Sequence, residues 1–355
     1  MKFKIKHITN VIVSKKSSTL QQILMMYNNH KLLFAPFHGI TDKTYRNAFA
    51  KCFGGFDEIY APFISGSGTK IINPSKLTDI TPILNNLIKT IPQILSINAD
   101  EIKLFGKTIK DNGYDSFNWN LGCPFKQIAN KKRGCGILPY PDELHKLLDG
   151  IFSDLPVKMS IKTRLGYHNS DEIFKILEIA NQYPIEHIII HARIGKQFYG
   201  GDTNPEKYIE CMSVSRHKLI YNGDIFNISS FNRVKSLLPK QEIWMIGRGA
   251  LMNPFLPHSL KGKFFDNDEK VNMLEEFNNE LLNNYSKYIK NETRLLSRMK
   301  SVWGYLSGVF ENGREIFNKV KISKNTNEYT AAISNALENQ FSDENQQSIY
   351  LKEAF

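Results

Sequence analysis

Short apolar runs recur along the chain from Lys31 onward, separated by stretches whose apolar residues return every three to four positions. The runs at residues 32–36, 58–63, 92–97, 116–120, 157–162, 187–191, 218–222 and 243–246 are brief. Several are rich in β-branched residues, as strands covered on both faces tend to be. The stretches 100–112, 141–152, 170–182 and 229–238 predict helices, and Asp171 and Glu172 fall in the first turn of the third, where carboxylates suit the helix dipole. Eight strands with helical crossovers in about 225 residues predict an α/β fold, a TIM (β/α)8 barrel. A doubly wound sheet would want G-x-G-x-x-G after its first strand, and Ala35-Pro36-Phe37-His38-Gly39 stands there instead.

Past Gly262 the alternation stops, and residues 271–289, 292–309 and 327–337 carry helical patterns. The expected organisation is an N-terminal extension at 1–30, a barrel at 31–262 and a smaller C-terminal helical domain at 265–350. The extension has no amphipathic pattern and is expected to be dispensable, with Met25 and Met26 as alternative starts. The polar tail, 339–355, is expected to fray.

Charge narrows the partners. Lysine and arginine number 46 against 35 acidic residues, a formal net charge of +11 and a pI near 9.2, which draws a protein towards nucleic acid or an anionic membrane. No apolar run approaches the ~20 residues of a membrane span. The basic N-terminus lacks the apolar core and small-residue cleavage site of a secretory signal. Cys52, Cys123, Cys135 and Cys211 form no C-x-x-C pair, and no histidine cluster completes a zinc pattern. Reduced thiols in a cytoplasmic, metal-free protein, expected to be a monomer, are the reading.

Barrel enzymes carry their chemistry just after each strand. The fourth run leads into Asn120-Leu121-Gly122-Cys123-Pro124, where Gly122 and Pro124 end the strand and bare the Cys123 thiol. A cysteine there is a nucleophile, a general acid or an incidental small apolar residue. A basic stretch, 125–134, follows with Lys126, Lys132 and Arg133, and reads as a long loop. The fifth and sixth runs end in Lys162-Thr163-Arg164 and His191-Ala192-Arg193, and residues two apart share a face, so each pair aims into the mouth. One such pair reads equally as solvated surface, but two on consecutive strands do not. The seventh and eighth end in Asn222-Gly223-Asp224 and Gly247-Arg248-Gly249, the loops where barrels usually hold phosphate.

In this order the pieces resemble the tRNA-dihydrouridine synthase family of FMN enzymes. The matching segments are Ala35-Pro36-Phe37-His38-Gly39-Ile40-Thr41-Asp42, the strand of Gln93, Asn120 through Pro124, Lys162 through Gly166, His191-Ala192-Arg193, Asn222 through Ile225, and Gly247 through Leu251. The resemblance implies FMN at the barrel mouth, with Pro36, Phe37 and His38 beside the isoalloxazine and Gln93, Lys162 and His191 at its polar edge. Asn222, Gly223, Asp224, Gly247 and Arg248 then match the phosphate end. It implies Cys123 as the proton donor to uracil C5, while hydride reaches C6 from the flavin and NADPH or NADH supplies the electrons. Asn120, Arg164 and Arg193 would grip the uracil and its neighbours. Lys126 would lower the pKa of Cys123 and burial would raise it. The sequence departs from the family pattern at Phe37, usually Met, at Asn118, commonly an acid, and at Cys135, usually Ser or Ala. Residues 294–306 resemble the tail of the bacterial branch acting on position 16 of the D-loop. There Arg294, Arg298 and Lys300 are expected on one face meeting tRNA phosphates, together with Lys126, Lys132 and Arg133.

Two other readings compete: a flavin dehydrogenase of a free pyrimidine on the same barrel, and a non-catalytic RNA-binding protein on a decayed scaffold. The net charge and the basic stretch favour a polyanionic substrate over the first. The joint presence of Asn120, Cys123, Lys162, His191 and Arg248 argues against the second.

Overall fold

The computed structural model describes residues 30–66 and 74–343. The expectations for residues 1–29 and for the last residues of the tail lie outside them. Ten strands form one parallel sheet: β1 (Lys31–Phe34), β2 (Glu58–Tyr60), β3 (Ile64–Ser65), β4 (Thr90–Ile91), β5 (Gln93–Leu95), β6 (Ser116–Leu121), β7 (Lys158–Gly166), β8 (Ile188–Ile194), β9 (Leu219–Asn222) and β10 (Ile243–Ile246). Two of the eight expected strands are broken by proline, which has no N–H for the ladder. Pro62 lies between β2 and β3, and Pro92 between β4 and β5. Because β4 pairs with β2 while β5 pairs with β6, the break at Pro92 is also where the sheet closes into a (β/α)8 barrel.

Period-two alternation decides what each face meets. Leu33, Ala35, Tyr60, Ile91, Ile189, Ile220 and Met245 point inward and form a small apolar plug. Their neighbours Phe34, Ile188, Ile190 and Tyr221 point outward into a much larger core under the helices. That helical layer includes α1 (Lys43–Cys52), α2 (Ala99–Asp111), α3 (Pro141–Phe152), α4 (Glu172–Ala180), α5 (Pro205–Val214) and α6 (Ile228–Leu237). Asp42 caps α1 by accepting from the Tyr45 N–H, and Glu172 accepts three N–H groups from residues 167–169 at the start of α4.

Four more helices form the C-terminal part: α7 (Asn267–Ser286), α8 (Glu292–Leu306), α9 (Gly313–Ile322) and α10 (Thr326–Leu337). Their apolar faces are continuous with the barrel's outer core. Phe277 of α7 packs on Tyr45, Phe49 and Phe53 of α1, with ring centroids 4.9–6.4 Å apart. Part of the tail expected to fray is tied down: Phe341 bridges to Phe310, and the Ser342 N–H donates to the Val309 carbonyl. Among the described residues, no helix is long and apolar enough to cross a membrane.

Candidate active site

Above the apolar plug, at the carboxyl ends of the strands, lies a cavity of about 380 Å³. Its walls bring together Pro36, Phe37 and His38 after β1, Gln93 of β5, Asn120 and Cys123 at the end of β6, Lys162 and Arg164 of β7, and His191 of β8. Asn222, Gly223 and Asp224 after β9 complete it with Gly247 and Arg248 after β10.

A run of amide side chains sets the position of Cys123. Asn120 Oδ1 accepts from the backbone N–H groups of Gly122 and Cys123 at 3.1 and 3.0 Å, and its Nδ2 donates to Gln93 Oε1 at 2.8 Å. Gln93 Nε2 donates to Asn118 Oδ1, and Asn118 Nδ2 donates to Ser160 Oγ. An acid at Asn118 would lack the amide donor that reaches Ser160. From the other side, the Cys135 N–H and thiol both donate to the Cys123 carbonyl, at 3.1 and 3.2 Å. Gly134 makes this approach possible: its φ is +58°, and a Cβ there would stand 2.5 Å from that carbonyl oxygen.

The electrostatics follow from burial. Desolvation pushes the Cys123 thiol up, outweighing the Phe125 backbone hydrogen bond and the charges of Arg164 and Lys162, which pull it down. Cys123 therefore stays an S–H at neutral pH. Lys126, the cation expected to act on it, is exposed and does not line the cavity. Lys162 donates to Asn222 Oδ1 at 3.0 Å, and burial, reinforced by Arg164, brings its pKa down to about 7. His191 is held well below the usual imidazole range by burial and by Arg164, Lys162, Arg193 and Arg248. Its Nε2 lies 3.2 Å from Arg193 Nη1. A guanidinium only donates, so Nε2 accepts and the ring proton sits on Nδ1.

At the other end of the cavity, Asp224 takes a left-handed φ of +44°. It accepts from Arg193 Nη1 and Nη2 at 2.8 and 2.6 Å and from Arg248 Nη2 at 3.3 Å. Two cations share one carboxylate, leaving a net positive charge for an anion. Arg193 spends its remaining donors on the Gly200 and Gly201 carbonyls and does not reach the cavity wall, so it positions Asp224 and His191 rather than gripping a substrate. Arg164 lines the cavity and donates to the carbonyls of Gly122 and Ile194.

Several residues expected to meet RNA are engaged within the protein. The basic stretch after Cys123 is not a loop: Lys126–Ala129 and Gly134–Ile137 are short helical turns. Arg133 turns inward, donating to the carbonyls of Gly66 and Leu95. Lys132 pairs with Glu143 at 2.5 Å and lies over the Tyr140 ring. On α8, Arg298 binds Asp42 Oδ2 at 2.6 Å and the Ile40 carbonyl at 2.9 Å, and Lys300 donates to the Ser323 carbonyl. These two cations stitch α8 to its surroundings, and Arg294 alone of the three is exposed.

The sequence reading also missed part of the wall: Phe63, Tyr199, Phe226, Met245 and Tyr305. Tyr199 lies under two guanidiniums, with Arg248 and Arg164 at 5.1 and 5.6 Å from its ring centre, and stacks on Phe37 at 5.9 Å. Its only signal was an aromatic residue in the glycine-flanked loop after β8. Tyr305 reaches the cavity from α8.

A barrel that lines one cavity with a desolvated lysine, a protonated thiol and Arg248, which shares Asp224 with Arg193 behind it, is built to hold an anion and move a proton, which makes it a (β/α)8-barrel enzyme. Sequence comparison makes this specific. Residues 33–346 match the family model described as Dihydrouridine synthase (Dus), and the chain belongs to that family of oxidoreductases. It is 23% identical over 331 residues to a tRNA-dihydrouridine(16) synthase of Neisseria meningitidis, covering 87% of this chain and 95% of that one. It is 27% identical over 248 residues to the tRNA-dihydrouridine(16) synthase of Haemophilus influenzae, covering 68% and 75%. With a tRNA-dihydrouridine synthase B of Pasteurella multocida it shares 26% identity over 239 residues, covering 64% and 70%.

Proposed function

We propose that the cavity binds FMN and that this enzyme reduces the C5–C6 bond of a D-loop uridine in tRNA, the uridine at position 16, with NADPH or NADH as the electron source. The observation that carries the reading is a protonated thiol and a buried lysine lining one cavity. The residues present fit the cofactor. Arg248, with Asn222, Gly223, Asp224 and Gly247, supplies a net positive end for a phosphate, and Lys162 supplies a cation for the electron-rich edge of a ring system. An amine brought down to about 7 in a dry site regains its proton when an anion arrives beside it. When bound, FMN supplies the hydride that adds to uracil C6.

The chain's own residues do the rest. Cys123 delivers its proton to C5 and recovers one from solvent, so the substrate gains one hydride and one proton. Burial keeps that thiol loaded. Asn120 and Gln93 fix where it points. Neutral His191 offers its Nδ1 proton to a carbonyl of the base. Extruding the uridine costs a few kcal/mol of stacking, and contacts outside the cavity must offset that. The net charge of +11 and exposed Arg294 and Lys126 suit a phosphate backbone. The family assignment removes the free-pyrimidine dehydrogenase, and Asn120, Cys123, Lys162, His191 and Arg248 lining one cavity argue against a decayed scaffold.

The test pairs two measurements. Flavin released from the purified protein by denaturation should chromatograph as FMN. Cys123→Ala should keep its FMN and its reduction by NADPH yet lose uridine reduction by roughly 100- to 10,000-fold. Recovery of FAD instead, or near-normal uridine reduction by the variant, refutes the corresponding half.

A further inference from the structure

The loop that lines the cavity after β1 is held from outside the barrel. Residues 37–41 wind into a tight turn: the Ile40 and Thr41 N–H groups both donate to the Phe37 carbonyl at 3.0 Å, and Thr41 Oγ1 accepts from the Phe37 N–H. The turn closes on itself and then meets α8 at two points. Arg298 donates to the Ile40 carbonyl and to Asp42, the residue that caps α1. Seven residues on, two helical turns later and on the same face, Tyr305 packs edge-on against Phe37 with ring centres 5.7 Å apart. Phe37 also stacks on Tyr199, so its ring touches two aromatic residues. Of the residues lining the cavity, Tyr305 is the one contributed by the C-terminal helices.

We infer that Arg298 and Tyr305 of α8 are positioning residues for the cofactor: they hold the Phe37–His38 loop in the shape that accepts the flavin, rather than touching RNA. The inference rests on the flavin reading above. The apolar surroundings give the Phe37 ring alternatives once its edge-on partner is removed, and a five-residue loop left with only its own hydrogen bonds and the α1 cap to hold it would share its time among them. The cofactor would then have to select the competent arrangement, and its apparent affinity would fall by the fraction of time that arrangement is lost. Tyr285 adds to the same anchor, since its hydroxyl donates to Asp42 Oδ1 at 2.9 Å.

The experiment titrates FMN into flavin-free wild type, Tyr305→Ala, Tyr305→Leu, Tyr305→Phe and Arg298→Ala by quenching of flavin fluorescence, with tRNA affinity and thermal melting measured on the same samples. Loss of one edge-on aromatic contact predicts FMN binding roughly 2- to 12-fold weaker in Tyr305→Ala and Tyr305→Leu. Tyr305→Phe, which keeps the ring, should bind as wild type does. Arg298→Ala should weaken FMN in the same direction, and tRNA affinity should be unchanged throughout. Tyr305→Leu keeps the site filled, so an unfolded Tyr305→Ala still leaves a deciding variant. Unchanged FMN affinity with weakened tRNA binding overturns the inference and turns Tyr305 into a base contact. Unchanged FMN affinity with unchanged tRNA binding also overturns it, while the flavin reading stands. A wild type that binds no FMN overturns both.

Discussion

Lys162 offers the sharpest test of the site's electrostatics, because the cavity opposes its charge when nothing is bound. The perturbation is Lys162→Met, which keeps the length of the side chain and removes the ammonium. A pKa of about 7 in the fold against 10.5 in the unfolded chain, at about 1.4 kcal/mol per pH unit, sets an upper limit near 5 kcal/mol for the cost of holding the charge below neutral pH. Losing the hydrogen bond to Asn222 takes back about 1–2 kcal/mol, and relaxation of the site takes back more. The flavin-free variant is therefore expected to be more stable than flavin-free wild type by roughly 1–3 kcal/mol at pH 7, a rise in melting temperature of several degrees. The sign with pH is fixed as well. Between about pH 7 and 10.5 the unfolded lysine holds a proton that the folded one lacks, so wild-type stability rises with pH by roughly 3 kcal/mol on reaching pH 9.5, enough to cancel the advantage of methionine. Melting curves of both flavin-free proteins at the two pH values read this directly. A variant less stable than wild type at neutral pH, or a gain that does not change with pH, would refute the claim that the cavity opposes this charge.

Two further outcomes follow from the same geometry. Asp224→Asn tolerates the left-handed backbone but leaves Arg193, almost wholly buried, without its counter-charge; chemical denaturation should show a loss of roughly 3–5 kcal/mol, and a loss under 1 kcal/mol would mean the pair adds little. Arg294→Ala should lower the slope of log tRNA affinity against log salt by roughly 0.7–0.9, whereas Lys300→Ala should leave it untouched because that ammonium already serves the Ser323 carbonyl; equal slopes for Arg294→Ala and wild type would place the RNA elsewhere.

The barrel was legible because its strands are covered on both faces, and short β-branched runs are the trace that leaves. Ile188, Ile189 and Ile190 divide between the outer core and the inner plug as alternation requires. The cavity residues were legible for a related reason: a polar side chain at the end of such a run has the mouth to face. Position along the chain does not say where a long cation ends. Arg294 and Arg298 share a helix face, yet Arg298 reaches a carbonyl and a carboxylate on a segment more than 250 positions earlier, while Arg294 meets water. Arg133 was misread in the same way, since only tertiary structure brings the Gly66 and Leu95 carbonyls within its reach. The helix α9 escaped notice because it begins at Asn312-Gly313, a pair that reads as a turn, and buries only Gly313, Ile316 and Val320.

The unbroken apolar core between barrel and C-terminal helices has a consequence for anyone recombining these proteins. Tyr45, Phe49 and Phe53 belong to the barrel by sequence, but Phe277 is what shields them. A cut made near residue 265 would separate two surfaces that are each the other's solvent, leaving an aromatic ridge on one fragment and an apolar trough on the other. Grafting the helices of a relative onto this barrel, to redirect it to another uridine, would succeed only if α1 and the loop from Phe37 to Asp42 travelled with them. The unit of exchange is the helices together with the first βα segment of the barrel, two stretches far apart in the gene.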